Sequence, residues 1–544
     1  MPCIYLIIYY IYMNKKFCLF SYVAVTMLVM ASCRPMGDDL LSYGQYDMQA
    51  YDETGSSHAK TFKALWTAMN ENYSIWNYEA EHGLDWDAVY REYLPKFEAL
   101  DDTTRQENPT DAELAKLYSS FLDSLHDGHA AIEIKMNYMA KPLTFVPGMV
   151  RAMRERGEEY VITNNYHTEP DCYQNRSGEF HIEQLEEVDA IGFSRKFMYE
   201  QLDSIIPRCE NYLSQLEPVK TNEGVAKIYK EVSDLLQMAK KARGKEYQAG
   251  NRDLSMYNYL CGLYASLSSV IDWPLTPIDN SVISDRLGFI TVARFTGNIM
   301  YIRFGGFGLS DHLYDGSLSL DTTSSYYAYQ KEVRRVWQCW FDGIQQYHTA
   351  GNLGGVIIDV RNNGGGYVND YQYVLGALLP SGGYVPCMMR IKNGSGRYDF
   401  SPLLPLTMPT YEGEHAVISK EPIVVISNVR SVSMSENTSW SVKTLPNGAL
   451  IGTRTFGGLS VLNTDPASYS DTYSGAFGVR NSTAIWGYIP KYVAMYDVEK
   501  NGEYKPLEGI GVTPTKEVPF DLASYQKDGT DNQLEAAIRY INQQ

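Results

Sequence analysis

The sequence predicts an α/β core with a helical domain in front of it, and three observations carry that prediction. Apolar runs of β character at 289–293, 300–304, 355–360 and 423–426 alternate with helical stretches, the longest at 326–347. Stripes at helical spacing fill the first part of the chain: Phe62, Leu65, Trp66, Met69 and Tyr73, then Tyr90, Tyr93 and Phe97, then Leu114, Leu117, Phe121 and Leu125. The run at 355–360 is apolar rather than alternating, which marks a strand covered on both faces of its sheet.

Residues 1–33 read as an export signal. Met13-Asn14-Lys15-Lys16 supplies the positive start, 17–30 is largely apolar, and Ala31-Ser32-Cys33 closes it. The apolar stretch is too short for a stable membrane span. Residues 34–57 are polar, with Gly, Asp and Ser, and read as a flexible tether. The helical domain covers 58–140. An inserted region follows at 141–285, with a strand and turn at 188–192 and helices at 194–206 and 226–241; a degenerate peptide-binding module of PDZ type is the expectation there. The core runs over 286–544, with a helix at 368–378 and a closing amphipathic helix at 534–541.

Composition removes several function classes. A net charge of -18 and a pI near 5.0 argue against a nucleic-acid partner, which needs clustered Lys and Arg. Beyond position 33 stand Cys172, Cys209, Cys261, Cys339 and Cys387. They are odd in number, widely spaced and without a C-x-x-C pair, so neither a disulfide framework nor a zinc site is signalled. His126 and His129 lack further ligands for a metal, no phosphate-binding loop of the G-x-x-x-x-G-K-[ST] kind is present, and no cofactor is called for.

The chemistry concentrates after the strand at 423–426. Ser431, Ser433 and Ser435 follow it, and Glu436 opens a helical pattern. A serine where a strand turns into a helix exposes its hydroxyl above the helix N-terminus, whose N–H groups can stabilise an oxyanion. Ser433 and Glu436 also stand at capping-box spacing, and the two readings are compatible. Two further segments hold candidate residues. In Leu125-His126-Asp127-Gly128-His129 the turn places a histidine to enter a cleft. In Arg361-Asn362-Asn363-Gly364-Gly365-Gly366 three glycines allow close backbone approach to a ligand.

Four segments in fixed order, LHDGH, VIIDVRNNGGG, SNVRSVSMSE with IGTRTFGG, and LEGIGVTPT, resemble the C-terminal processing (tail-specific) serine proteases and their tricorn-core relatives. The opening segments FKALW, NENY and LDWDAVYREY resemble secreted lipoprotein members from Bacteroides-like bacteria. The resemblance covers 58–140 and 286–541. It implies a crotonase-like α/β core and a peptide-bond hydrolase with Ser433 as nucleophile. It also implies oxyanion donors at the N–H groups of Met434 and Gly365. Ala31-Ser32-Cys33 resembles a bacterial lipobox, which implies lipidation of Cys33 and a membrane-tethered protein on the periplasmic or surface side of the outer membrane.

The tail-specific branch uses a lysine base 25 residues after the serine, and Gly458 stands there. The tricorn-like branch uses a histidine instead, matching His129, and a glutamate matching Glu508; its serine before the histidine is replaced by Gly128. A Ser433/His129 pair supported by Glu508 satisfies the logic of nucleophile, base and orienter. Such a base is expected to titrate at roughly 6 to 7. The leading expectation is therefore a serine endopeptidase acting on exported polypeptides. The alternative is a non-catalytic protein of the same fold that binds peptides or hydrophobic ligands; a different crotonase-type hydrolase ranks behind both.

Overall fold

In the computed structural model of the chain, the residues described are 54–105, 107–148, 150–151, 182–244, 254–271, 289–320, 322, 325–392, 396–460, 476–478, 484–490 and 492–544. The export signal, Cys33 and the tether up to residue 53 lie outside them.

The N-terminal stripes become helices His58–Asn72, Trp76–Glu81, Trp86–Leu100 and Asp111–Leu122. Their starts are chemically marked. Ser57 accepts from Lys60 N–H, Asp85 from Asp87 and Ala88 N–H, and Thr110 forms a capping box with Glu113. Phe62, Leu65, Met69, Phe97, Leu114 and Phe121 meet in one apolar core. That core also takes Ile132 and Ile134 of β1 (Ala131–Ile134), Phe145 of β2 (Leu143–Phe145) and Ile485 from far along the chain. The loop at 123–130, which carries His126 and His129, is thus held between a helix and a strand.

A strand β3 (Ile182–Asp189) runs into helix Ala190–Leu216, followed by helices Glu223–Arg243 and Leu254–Ile271. The expected helices at 194–206 and 226–241 lie inside the first two. A PDZ-like sheet is not found among the described residues of this region. β3 instead joins the main sheet as its edge strand, and Leu202, Leu236 and Leu263 of the three helices share one apolar cluster with the core.

The core sheet contains β4 (Phe289–Phe295), β5 (Ile299–Phe304), β6 (Gly355–Asp359), β9 (Ile423–Ser427), β10 (Gly448–Gly452) and β14 (Lys516–Glu517). Between β6 and β9 the chain forms β7 (Tyr384–Ile391) and β8 (Leu404–Met408), which make a separate small sheet with β13 (Tyr492–Met495), while β11 (Ala476–Gly478) and β12 (Ile485–Tyr488) join β1 and β2. The main order is β14-β10-β9-β6-β5-β4-β3, with β5, β6, β9, β10 and β14 parallel. Val356 and Ile358 face one apolar cluster and Ile357 the other. Val424, Ile426, Ala449 and Ile451 share the second cluster with Leu534, Ala537 and Ile538 of the closing helix Asn532–Asn542. Both faces are covered, which is why β6 and β9 carry no polar alternation.

The expected helix at 368–378 is two 3-10 turns, Val368–Tyr373 and Leu375–Leu378, broken at Val374. Tertiary bonds divert it from a regular ladder. The Asp370 carboxylate accepts from Leu309 and Ser310 N–H, and Trp337 Nε1–H donates to Tyr373 O.

Candidate active site

Three neighbouring parallel strands deliver the site. β6, β9 and β10 are in register, Asp359 opposite Ile426 and Ile426 opposite Ile451, so the loops at their C-terminal ends lie side by side. Those loops carry Gly364–Gly366, the serine trio, and Thr455–Gly458.

The serines have separate tasks. Ser431 Oγ donates to Val360 O and Ser435 Oγ donates to Asn363 O, at 2.8 Å each, and both residues are buried. These two bonds pin the β9 loop to the β6 loop. Ser433 is half-buried and begins helix Met434–Thr444 at φ 57° and ψ -114°. A non-glycine residue at positive φ is strained and persists only where its surroundings hold it.

Glu436 is what holds it. The carboxylate half of the capping box is realised, with Ser433 N–H donating to Glu436 Oε2 at 3.1 Å, while Glu436 N–H donates to Ser433 O at 2.9 Å. The same carboxylate accepts from Thr455 Oγ1 at 2.6 Å, and from Gly457 and Gly458 N–H at 2.7 Å each. Gly458 O in turn accepts from Ser433 N–H at 2.9 Å. Burial pushes the Glu436 carboxyl up to about 7, against the pull of those bonds.

Gly365 lies against the nucleophile candidate. A side chain there would place its Cβ 2.6 Å from Ser433 Cβ and 3.0 Å from Met434 N, and its φ is 89°. Only glycine fits on both counts. The two oxyanion candidates differ in state. Among the described residues Met434 N–H meets no acceptor, whereas Gly365 N–H donates to Asn363 Oδ1 at 2.9 Å. Gly365 N–H reaches an oxyanion only by dividing its bond between Asn363 Oδ1 and the new acceptor or by leaving Asn363.

The LHDGH loop packs on the other side of Gly457 and Gly458. A Cβ on Gly128 would lie 2.6 Å from Gly457 O and 2.7 Å from Gly458 Cα, which explains why no serine precedes His129. Gly128 N–H donates to Glu508 Oε2 at 3.2 Å, while Glu508 Oε1 accepts from Leu459 N–H at 2.9 Å and from Ser460 N–H. His129 N–H donates to Asp127 Oδ1 at 2.8 Å. One oxygen each of Asp127 and Glu508 and one ring nitrogen of His129 lie within 4.8 Å of one another.

His126 turns away from this group. Its Nδ1 sits 2.6 Å from Glu79 Oε2 in the helical domain, so it is no partner of His129. Lys443 is no substitute base either, because its ammonium donates to Thr513 O and Oγ1 at 2.8 and 3.1 Å.

Burial sets the electrostatics. It lowers the His129 imidazole to about 4 and raises the carboxyls of Asp127 and Glu508; the Glu508 charge raises Asp127 further, whereas hydrogen bonds from Ser460 and from Gly128 and Leu459 N–H pull Glu508 back down. An imidazole neutral at pH 7 can accept a proton. Asp127, by sequence only a turn residue, and Asn363 are site residues that the motifs alone do not single out. The signals were present: Asp127 stands between two histidines, and Asn363 precedes three glycines.

Residues 321–518 match the family model of peptidase family S41. The match contains Gly365, Ser433, Glu436, Gly458 and Glu508 but not His129. The tricorn protease of Thermoplasma volcanium is 36% identical over 197 residues, covering 36% of this chain and 15% of its own length. The chain therefore spans about a seventh of that relative. Among solved structures, a candidate peptidase from Parabacteroides merdae covers 90% of this chain and 96% of its own, with a TM-score of 0.44 and 16% identity. A tricorn protease structure covers 45% of this chain and 18% of its own, with a TM-score of 0.25 and 22% identity.

Proposed function

From the peptidase family S41 domain at residues 321–518, we propose that this chain is a serine-type peptidase with Ser433 as nucleophile and His129 as base. The observation that carries the reading is Ser433 itself. It is the half-open member of three serines, held at positive φ over a helix N-terminus whose first N–H is free among the described residues. His129 takes the Ser433 proton as Oγ attacks the scissile carbonyl. Met434 N–H, with Gly365 N–H once it leaves Asn363, receives the oxyanion. His129 then protonates the departing amine, the acyl-enzyme remains on Ser433, and water attacks it with His129 again as base. Glu508, fixed by three backbone N–H groups, keeps a carboxyl group beside the imidazole without a direct hydrogen bond to Nδ1.

A fluorophosphonate probe is expected to label the wild-type chain at Ser433 and to leave Ser433→Ala unlabelled. Equal labelling of that variant would sink the nucleophile assignment.

A pH profile tests the base separately. The base must be unprotonated, and burial has lowered its folded value to about 4, so the working form persists as pH falls below neutrality and is lost only as pH falls through that value. The acid limb of kcat/KM is therefore expected nearer pH 4 than the roughly 6 to 7 of a solvated histidine. A midpoint at 6.5 in a chain still folded by circular dichroism would show that His129 is solvated during turnover or is not the base.

The occupied Gly365 N–H favours one second reading, a peptide-binding protein of the same fold without turnover. The crotonase-like core, the exported polypeptide substrates and the outer-membrane lipid anchor belong to the proposal as well, supported by the DVRNNGGG series and by the segment from Met13 to Cys33. No helix among the described residues is long and apolar enough to cross a membrane. In a bacterial host, palmitate incorporation is expected in the wild type and not in Cys33→Ser; incorporation in both would remove Cys33 from the anchor.

A further inference from the structure

We propose that Asp127, His129 and Glu508 form a binding site for a divalent transition-metal ion of the zinc class, and that filling it switches the peptidase off. The site itself stands on geometry alone; the switching rests on the reading of His129 as base.

Two atoms of the cluster lack what buried polar atoms nearly always have. Asp127 Oδ2 and His129 Nδ1 are buried and meet no hydrogen-bond partner among the described residues. Asp127 as a whole is 0% exposed. Both atoms belong to residues whose ligand atoms gather with a Glu508 oxygen within 4.8 Å. Two orphaned polar groups on residues whose ligand atoms converge call for a shared partner.

The donor set selects the occupant. One imidazole nitrogen and two carboxylates are the ligand types of zinc sites that keep a fourth position open. Magnesium and calcium prefer six or more oxygen ligands, and this group offers too few. Ligands bonded to zinc at ~2.0–2.1 Å stand roughly 3.3 Å apart, so the group must tighten by small side-chain rotations.

The supporting shell for such a site already exists. Glu508 accepts from Gly128, Leu459 and Ser460 N–H, and Asp127 Oδ1 accepts from His129 N–H. These bonds engage both oxygens of Glu508, Oε2 only once, and leave Asp127 Oδ2 unbonded, and they hold the carboxylates as outer-shell partners do around bound metals.

The consequence for catalysis follows from the chemistry of imidazole. A neutral ring carries one N–H. If Nδ1 binds the ion, the proton must reside on Nε2, and Nε2 can no longer accept the proton of Ser433. The metal-bound and the working forms exclude each other, so inhibition is reversible by a chelator.

The test uses the full chain carrying Ser433→Ala, titrated calorimetrically with zinc chloride in metal-free buffer. One ion per chain is expected, with affinity more than about 100-fold weaker in the additional variants Asp127→Asn and His129→Ala, since each loses a ligand and even an outer-shell partner is worth about 10- to 100-fold. Thermal melts show whether those variants fold. His126→Gln, outside the cluster, is expected to bind as the parent does. In the wild type, one equivalent of zinc is expected to stop peptide hydrolysis and a chelator to restore it. Absence of binding, or binding indifferent to Asp127 and His129, would overturn the site and leave the orphaned atoms to water. Binding as described without any effect on an active wild type would overturn the switch. Binding to a wild type that never cleaves peptides would instead refute the peptidase reading and leave the metal site standing.

Discussion

Replacing Ser433 by alanine is expected to lower kcat about a million-fold, and His129→Ala to do nearly the same. The double variant should be no worse than either, because in the proposed mechanism nucleophile and base act as one unit and removing either leaves only binding and oxyanion stabilisation. The prediction separates chemistry from folding. Losing a capping hydroxyl costs about 1 kcal/mol, and the remaining bonds of the turn, Glu436 to Ser433, Gly457 and Gly458 N–H, involve no Ser433 side-chain atom. The melting temperature should therefore hardly move while turnover disappears. Steady-state kinetics with an unstructured protein substrate decides it. A Ser433→Ala protein retaining a tenth of wild-type kcat would end the proposal. A wild type without turnover, whose peptide affinity is unchanged in Ser433→Ala, would establish the binding protein.

What could be read in advance was whatever a single segment determines. The strands β6 and β9 were legible because burial on both faces leaves a continuous apolar run. The N-terminal helices were legible because each buries one stripe. The Ser433 turn was legible because a strand, small polar residues and a helix start follow within a dozen positions.

What could not be read depends on segments far apart meeting. Nothing in Ala131–Ile134 announces that it pairs with β12 (Ile485–Tyr488), although that pairing fixes the His129 loop against the core. The replacement of the serine before His129 looked like the loss of a catalytic group. The structure gives a steric cause, the approach of Gly457 and Gly458 to Gly128. Likewise the glycine run named a candidate oxyanion donor, but only the fold reveals that Asn363 Oδ1 already holds the Gly365 N–H. The helix Leu254–Ile271 was missed because its sequence, rich in Ser, Tyr and Leu, shows no clean polar face.

The largest stability effect is expected at Arg361, the arginine of the DVRNNGGG segment. Its guanidinium donates through Nε and Nη2 to Asp359, the latter at 2.6 Å, and through Nη1 and Nη2 to Asp531 at 3.0 and 2.8 Å. It also reaches Gln533 Oε1 at 3.1 Å, and Tyr301 OH donates to Asp359 Oδ2 at 2.8 Å. Both carboxylates are 0% exposed. Asp531 is meanwhile the N-cap of the closing helix, accepting from Leu534 N–H at 3.0 Å. The network therefore ties the end of β6 to the helix that covers one face of the sheet. Arg361→Met keeps the bulk and removes the cation, leaving two buried carboxylates without it, at a cost of about 3–5 kcal/mol. Arg361→Lys restores the charge but not the fork, since one ammonium cannot bond both carboxylates bidentately, and should recover only part of the loss. Melting scans at one fixed rate should rank the wild type above Arg361→Lys and that above Arg361→Met. A melting temperature of Arg361→Met equal to wild type would mean that the network sets position without stabilising the fold. In that case the position of the glycine loop, and hence of the Gly365 N–H, would be what the arginine maintains, and kcat would fall without any change in the melt.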